Sequence, residues 1–139
     1  MDQSLLKAPS PDIWPPAQGS LTGIPISHLG VGAHPDDLEI LAIPAIAHCY
    51  QHPRDRFGGV VCTSGSGSAR TGPYRDLSAE GMCRVRREEQ REAARLGRYG
   101  LLVQLGYESP SLRGSGRADL ENDLTLLLDA LRPRHVLTH

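Results

Sequence analysis

The chain has 139 residues, with 15 Lys plus Arg against 16 Asp plus Glu and a formal charge of −1 with six neutral histidines, so it suits one domain of the usual ~100–150 residues and supplies no global field for nucleic acid or an anionic membrane. No apolar run approaches the ~20 residues of a membrane span, and the N-terminus lacks the basic and compact apolar regions of a secretory signal. Cys49, Cys62 and Cys83 are odd in number and lack a CxxC pair, which argues against a disulfide framework and reads as buried free thiols in a reducing cytoplasm.

Residues 1–24 are rich in Pro, Ser and Gly (Pro9, Pro11, Pro15, Pro16, Gly19, Ser20). Such a segment sustains no helix, buries little and reads as an extended arm that Ile13 and Trp14 can pin to the body by an apolar contact. The domain proper is then 25–139. It opens on a short apolar run, Ile26 to Ala33, that suits a buried strand feeding a loop. Asp37 to Tyr50 carries apolar residues at a helical period, with Pro44 marking a kink or an early end. Val60 to Thr63 is a second strand, followed by the loop-like Ser64-Gly65-Ser66-Gly67-Ser68.

Ser78 to Leu96 is a long charged helix whose predicted inner stripe is Met82, Val85, Ala93 and Leu96, with Gly97 as its stop. A third strand at Leu101 to Leu105, a loop over Gly106 to Gly116, a helix over Asp119 to Leu131 and a fourth strand from His135 to His139 complete the chain. Strands alternating with helices imply a mostly parallel sheet covered on both faces, a three-layer α/β/α sandwich of Rossmann-like form. Ligands of such sheets sit at the carboxyl ends of the strands, where this reading places His34, Asp36, Asp37, the Ser-Gly loop, Tyr107 and His139, in the largest polar cleft.

The run His34-Pro35-Asp36-Asp37 carries the most chemistry. His34 and Asp37 offer an imidazole nitrogen and a carboxylate oxygen, donors that zinc accepts when thiolates are absent. Pro35 restricts the turn between them. Asp36 is left to act as a general base on an activated water. The same residues also suit a plain cap for the helix beginning near Leu38.

The longer stretch Val31-Gly32-Ala33-His34-Pro35-Asp36-Asp37-Leu38-Glu39 resembles the opening signature of the PIG-L/LmbE-like deacetylases. Three later landmarks fit the same family: the loop Thr63 to Ser68, the Arg/Glu-rich helix Arg86-Arg87-Glu88-Glu89-Gln90 through Leu96-Gly97, and Leu105-Gly106-Tyr107. The resemblance covers residues 28–139. It implies a Rossmann-like enzyme that removes acetyl groups from N-acetylglucosamine-type small molecules with a divalent metal, usually zinc. By position, His34 and Asp37 become metal ligands, Asp36 the base and Arg86 a polar substrate or supporting contact. It also implies a third ligand and an acid histidine from a His-x-x-His-like segment after the fourth strand, and hence a chain truncated at its C-terminus. The alternative is a catalytically incomplete fragment, or a sugar- or metal-binding module of the same fold. Leu41, Ala42, Ile43 and Pro44 depart from the glycines usual in the family's first helix.

The remaining features have simpler readings. The Ser-Gly run lacks the Lys-Ser/Thr of a phosphate loop and reads as a mobile rim of the site. Arg84, Arg86, Arg87, Arg91 and Arg95 interleave with Glu80, Glu88, Glu89 and Glu92 in a solvated, ion-paired face. His28, His48, His52 and His135 are isolated in sequence and take ordinary core or surface roles. His139, at a strand end, is a lesser candidate for metal ligation. No nucleic-acid or membrane partner is expected, and a homo-oligomer is compatible with the sequence.

Overall fold

Short β-branched and leucine-rich runs supply the middle layer of the molecule. The computed structural model describes residues 1–15 and 20–139, so Pro16 and Gly19 of the N-terminal segment lie outside the described residues. Strands β1 (Asp12–Trp14), β2 (His28–Gly32), β3 (Phe57–Thr63), β4 (Leu101–Tyr107) and β5 (His135–Leu137) form one sheet in the order β1-β4-β3-β2-β5. β2 to β5 pair in parallel, and β1 lies antiparallel on β4. β3 and β4 are buried at every position, as expected of parallel strands covered on both faces.

Helices α1 (Asp37–Leu41), α2 (Ile43–Gln51) and α3 (Ala79–Leu96) pack on one face through Leu38, Ala42, Ile46 and Ala94 against Phe57, Val61 and Leu102. On the other face Leu127 and Leu131 of α4 (Gly116–Leu131) meet Leu29, Val60, Val103 and Leu105. The three-layer, mostly parallel α/β/α sandwich read from the sequence is the fold of the chain. β2, β3 and β4 step outward in one direction, whereas β5 returns to the other side of β2. Ligands of such sheets usually bind beside the carboxyl ends of the strands where the order reverses, here β2 and β5.

Several elements differ from the sequence reading. The helix expected over 37–50 breaks at Ala42 (φ −111°, ψ 9°), and Pro44 falls in the first turn of α2, where its missing N–H costs no helix bond. β3 begins at Phe57 because Gly58 and Gly59 continue the strand; a Cβ on Gly59 would lie 2.6 Å from Leu38 Cδ1, so only a bare backbone admits α1 this closely. β4 runs on through Gly106 to Tyr107, α4 starts at Gly116, and β5 ends at Leu137. On α3 the buried positions are Gly81, Met82, Gln90 and Ala94, whereas Leu96 is 62% exposed.

The N-terminal segment buries more than an extended arm should. Leu6, Ala8, Ile13 and Leu21 all join the α4-side core. Asp12 in β1 binds the Arg91 guanidinium through both carboxylate oxygens and accepts Gln104 Nε2 at 3.0 Å. The fully buried Asp123 accepts the backbone N–H groups of Lys7 and Ala8 at 2.7 and 2.9 Å and the Tyr107 hydroxyl at 2.7 Å. A buried carboxylate with three donors is satisfied, and here it fastens the segment to the domain.

Candidate metal and active site

The loop after β2 is shaped by steric need at its entry. A Cβ on Gly32 would come within 2.8 Å of Asp37 Cβ, so glycine at this strand end lets α1 begin immediately below it. Asp37 Oδ2 then accepts the His34 backbone N–H at 2.8 Å, folding the carboxylate back over the turn. The His34 ring stands beside it, with Nδ1 3.6 Å from the same Oδ2. From two residues beyond the end of β5, His139 Nε2 also lies 3.6 Å from Asp37 Oδ2. Two imidazoles, 59% and 52% exposed, thus face one oxygen of a carboxylate that is 24% exposed. Imidazole nitrogen and carboxylate oxygen are donor types that a zinc-type ion accepts.

Asp36 occupies the left-handed region, φ 83° and ψ −21°, which aspartate tolerates better than most residues. Its backbone N–H donates to Gln90 Oε1 at 3.2 Å, and Gln90 Nε2 donates in turn to Glu39 Oε1 at 2.9 Å. Tyr99 Oη donates to the same Glu39 oxygen at 2.7 Å. Gln90 and Tyr99 are buried, so α3 and the start of β4 support the motif from behind. Burial and the Glu39 carboxylate together push the Tyr99 hydroxyl far above its ordinary range, which keeps it a donor.

The Asp36 carboxylate pairs with Arg86, which also pairs with Glu89. Burial works against the charge on Arg86, but these two carboxylates outweigh it and its pKa is raised. Tyr74 Oη donates to Glu89 at 2.9 Å. Gly65, with φ 71°, carries the Ser-Gly loop over this network; an added Cβ would sit 3.0 Å from both Pro35 Cγ and Arg86 Cγ. A cavity of about 300 Å³ opens here, lined by Pro35, Asp36, Ser68, Tyr74, Met82 and Arg86.

The structure thus gathers His34, Asp37 and His139 at one carboxylate, with Asp36 and Arg86 on an adjoining cavity. Three sequence expectations need correction. The site cavity is not the largest, since one of about 590 Å³ lies at the opposite end of the sheet. Tyr107 turns to Asp123 on the α4 side. In the Ser-Gly loop, Ser64 Oγ donates to Glu108 at 2.7 Å and Ser66 Oγ donates to its other oxygen. Of the cysteines only Cys62 is buried, its thiol pushed up to about 11 by desolvation and then by Asp37; Cys49 and Cys83 are half-buried. The supporting roles of Gln90, Glu39 and Tyr99 are absent from the sequence reading. That of Gln90 is nevertheless detectable, because Met82, Arg86, Gln90 and Ala94 fall four apart on one helix face.

Among the described residues no helix is long and apolar enough to cross a membrane. No curated protein matches the chain significantly in sequence. Solved structures similar to the chain include the following two. N,N'-diacetylchitobiose deacetylase from Pyrococcus horikoshii, complexed with its inhibitor MPG, aligns with a TM-score of 0.66 and 27% identity over 79% of this chain and 39% of its own. A conserved protein from Thermus thermophilus aligns with a TM-score of 0.60 and 25% identity over 80% of this chain and 45% of its own. The chain therefore spans less than half the length of either. Residues 29–139 match the family model described as PIG-L, GlcNAc-PI de-N-acetylase. With that match over most of its length, and the expected motif at the strand end where the sheet reverses, the chain belongs to the PIG-L family.

Proposed function

We propose that the chain carries the metal-binding and general-base portion of a zinc-dependent N-deacetylase acting on an N-acetylglucosamine-type or related small-molecule amide. The observation that carries this reading is the convergence of His34 Nδ1 and His139 Nε2 on Asp37 Oδ2, each at 3.6 Å, beside a separate carboxylate at Asp36. His34 and Asp37 would hold the ion, with His139 as the adjacent third donor. When bound there, zinc supplies Lewis-acid polarisation of the amide carbonyl and lowers the pKa of water.

Asp36 would take the proton of the water that adds to the acetyl carbonyl. The C–N bond then breaks as a proton is delivered to the amine nitrogen, the task that the family resemblance gives to a histidine of the His-x-x-His-like segment, releasing acetate and the free amine. Arg86 fixes the Asp36 carboxylate through its ion pair and remains cationic, as its pairing with two carboxylates requires. The Gln90 bond to the Asp36 backbone N–H holds the left-handed turn in place. The cavity beside Asp36, walled by Tyr74 and Met82, has polar and apolar surfaces suited to a sugar ring.

The test is release of acetate from an N-acetylglucosamine derivative before and after chelation. Turnover that is lost with the chelator and restored by Zn²⁺ supports the reading. Turnover indifferent to chelation overturns it. Zinc binding without turnover would favour the alternative, a sugar- or metal-binding module of the same fold.

A further inference from the structure

At the amino ends of β2 and β5 the four histidines that are isolated in the sequence come together. His28 and His135, paired in register across the two strands, stack with ring centroids 4.6 Å apart. His28 lies 5.2 Å from His48, and His48 stacks on His52 at 5.0 Å. His48 stands in the last turn of α2 and His52 is its C-cap, so the four-residue spacing puts both rings on one side of the helix. The loop that returns the chain to β3 then delivers Asp55. His48 Nε2 is 2.9 Å from Asp55 Oδ2, and His52 Nδ1 is 3.5 Å from the same oxygen.

We propose that His48, His52 and Asp55 form a second divalent metal site, of the zinc class, at the opposite end of the sheet from the His34-Asp37 motif. One ligand atom from each of the three residues lies within 4.8 Å of the other two, close enough to share an ion. Two imidazoles and one carboxylate are borderline donors that favour zinc-type ions over magnesium or calcium, which prefer all-oxygen shells. Paired histidines four apart on a helix are a recurrent zinc-holding arrangement. His52 Nδ1 accepts the backbone N–H groups of Arg54 and Asp55 at 3.3 and 3.0 Å, so an ion bound by this nitrogen displaces both contacts.

The Asp55 carboxylate divides its two oxygens. Oδ1 pairs with Arg134, leaving Oδ2 to the histidines. Arg134 opposes a cation electrostatically, but its side chain is 64% exposed and well screened. His52 and Asp55 border the cavity of about 590 Å³ formed with Ser27, Arg54 and Arg134, so water can complete the coordination from that side. A bound ion cross-links the end of α2 to the loop entering β3 and, through Arg134, to the start of β5. It therefore stabilises this end of the sheet by mass action.

The experiment follows imidazole resonances by NMR while Zn²⁺ is added to the full, tag-free chain. Shifts of the His48 and His52 imidazole resonances, with one zinc equivalent retained in a His34→Ala/Asp37→Ala variant, are expected. Adding His52→Gln or Asp55→Asn to that variant should weaken zinc binding by about tenfold or more. His28→Phe preserves a ring against His48 but is no ligand, and should keep the affinity. Unmoved His48 and His52 resonances in the wild-type chain overturn the proposal without requiring any variant to fold. An equal loss of affinity in His28→Phe overturns the assignment of the ligands.

Discussion

The carboxyl and amino ends of the sheet present similar functional groups, histidines beside an aspartate, on different foundations. At the carboxyl end the donors stand in front of a buried polar scaffold. Gln90 and Tyr99, 2% and 5% exposed, hold the backbone of Asp36 and the side chain of Glu39. At the amino end the histidines support one another by stacking, and Asp55 pairs with the exposed Arg134. A buried scaffold fixes geometry before any ligand arrives, because unsatisfied polar groups inside the protein are costly. An exposed stack tolerates rearrangement. The first suits catalysis, which needs donors placed in advance; the second suits an exchangeable site whose order improves on binding.

The sharpest way to divide the two ends is Asp36→Asn. In a turnover assay it should lower kcat by about 10²–10⁴-fold, the range for loss of a general base, while zinc stays bound. Loss of the zinc equivalent at the carboxyl end to the same extent as in His34→Ala would show that Asp36 is a ligand and the division of roles is wrong. Next in size is Gln90→Leu, which strips a partner from the Asp36 N–H and from Glu39. A denaturant titration should show a loss of about 1–3 kcal/mol, with the His48 and His52 resonances left in place. If those resonances moved as well, the two ends would not be independent.

Gly32→Ala tests the steric entry to the motif. The new methyl meets Asp37 Cβ at 2.8 Å, so α1 must shift, at a cost of about 1–2 kcal/mol within the usual overpacking range. Zinc affinity at the carboxyl end should fall with it. The smallest effect is expected at the amino end. His135→Ala removes the ring stacked on His28 but leaves the three proposed ligands, and should change the thermal midpoint by the equivalent of only about 0.5 kcal/mol, the low end for aromatic pairs. A larger loss would mean that the histidine stack is itself a structural core.

The motif His34-Pro35-Asp36-Asp37 was legible because its residues are neighbours in the chain and its position after an apolar run identifies a strand end. The repeated alternation of strand and helix likewise carried the layer architecture. Boundaries failed where glycine was read as punctuation. Gly97 does cap α3 after Leu96, as the sequence reading has it, whereas Gly58, Gly59 and Gly106 lie inside strands. In these places packing overrode local preference.

Local sequence by itself thus determined the strand-turn-helix motif, the parallel three-layer form and the residue types able to hold a metal at its head. Tertiary structure alone decided that β5 returns beside β2, because strand order depends on contacts between segments remote in sequence. That return places His139 next to Asp37 at one end of the sheet and His135 against His28 at the other. It also turned an apparently extended N-terminal segment into part of the core, since the carboxylates of Asp12 and Asp123 find their partners only once the sheet has assembled.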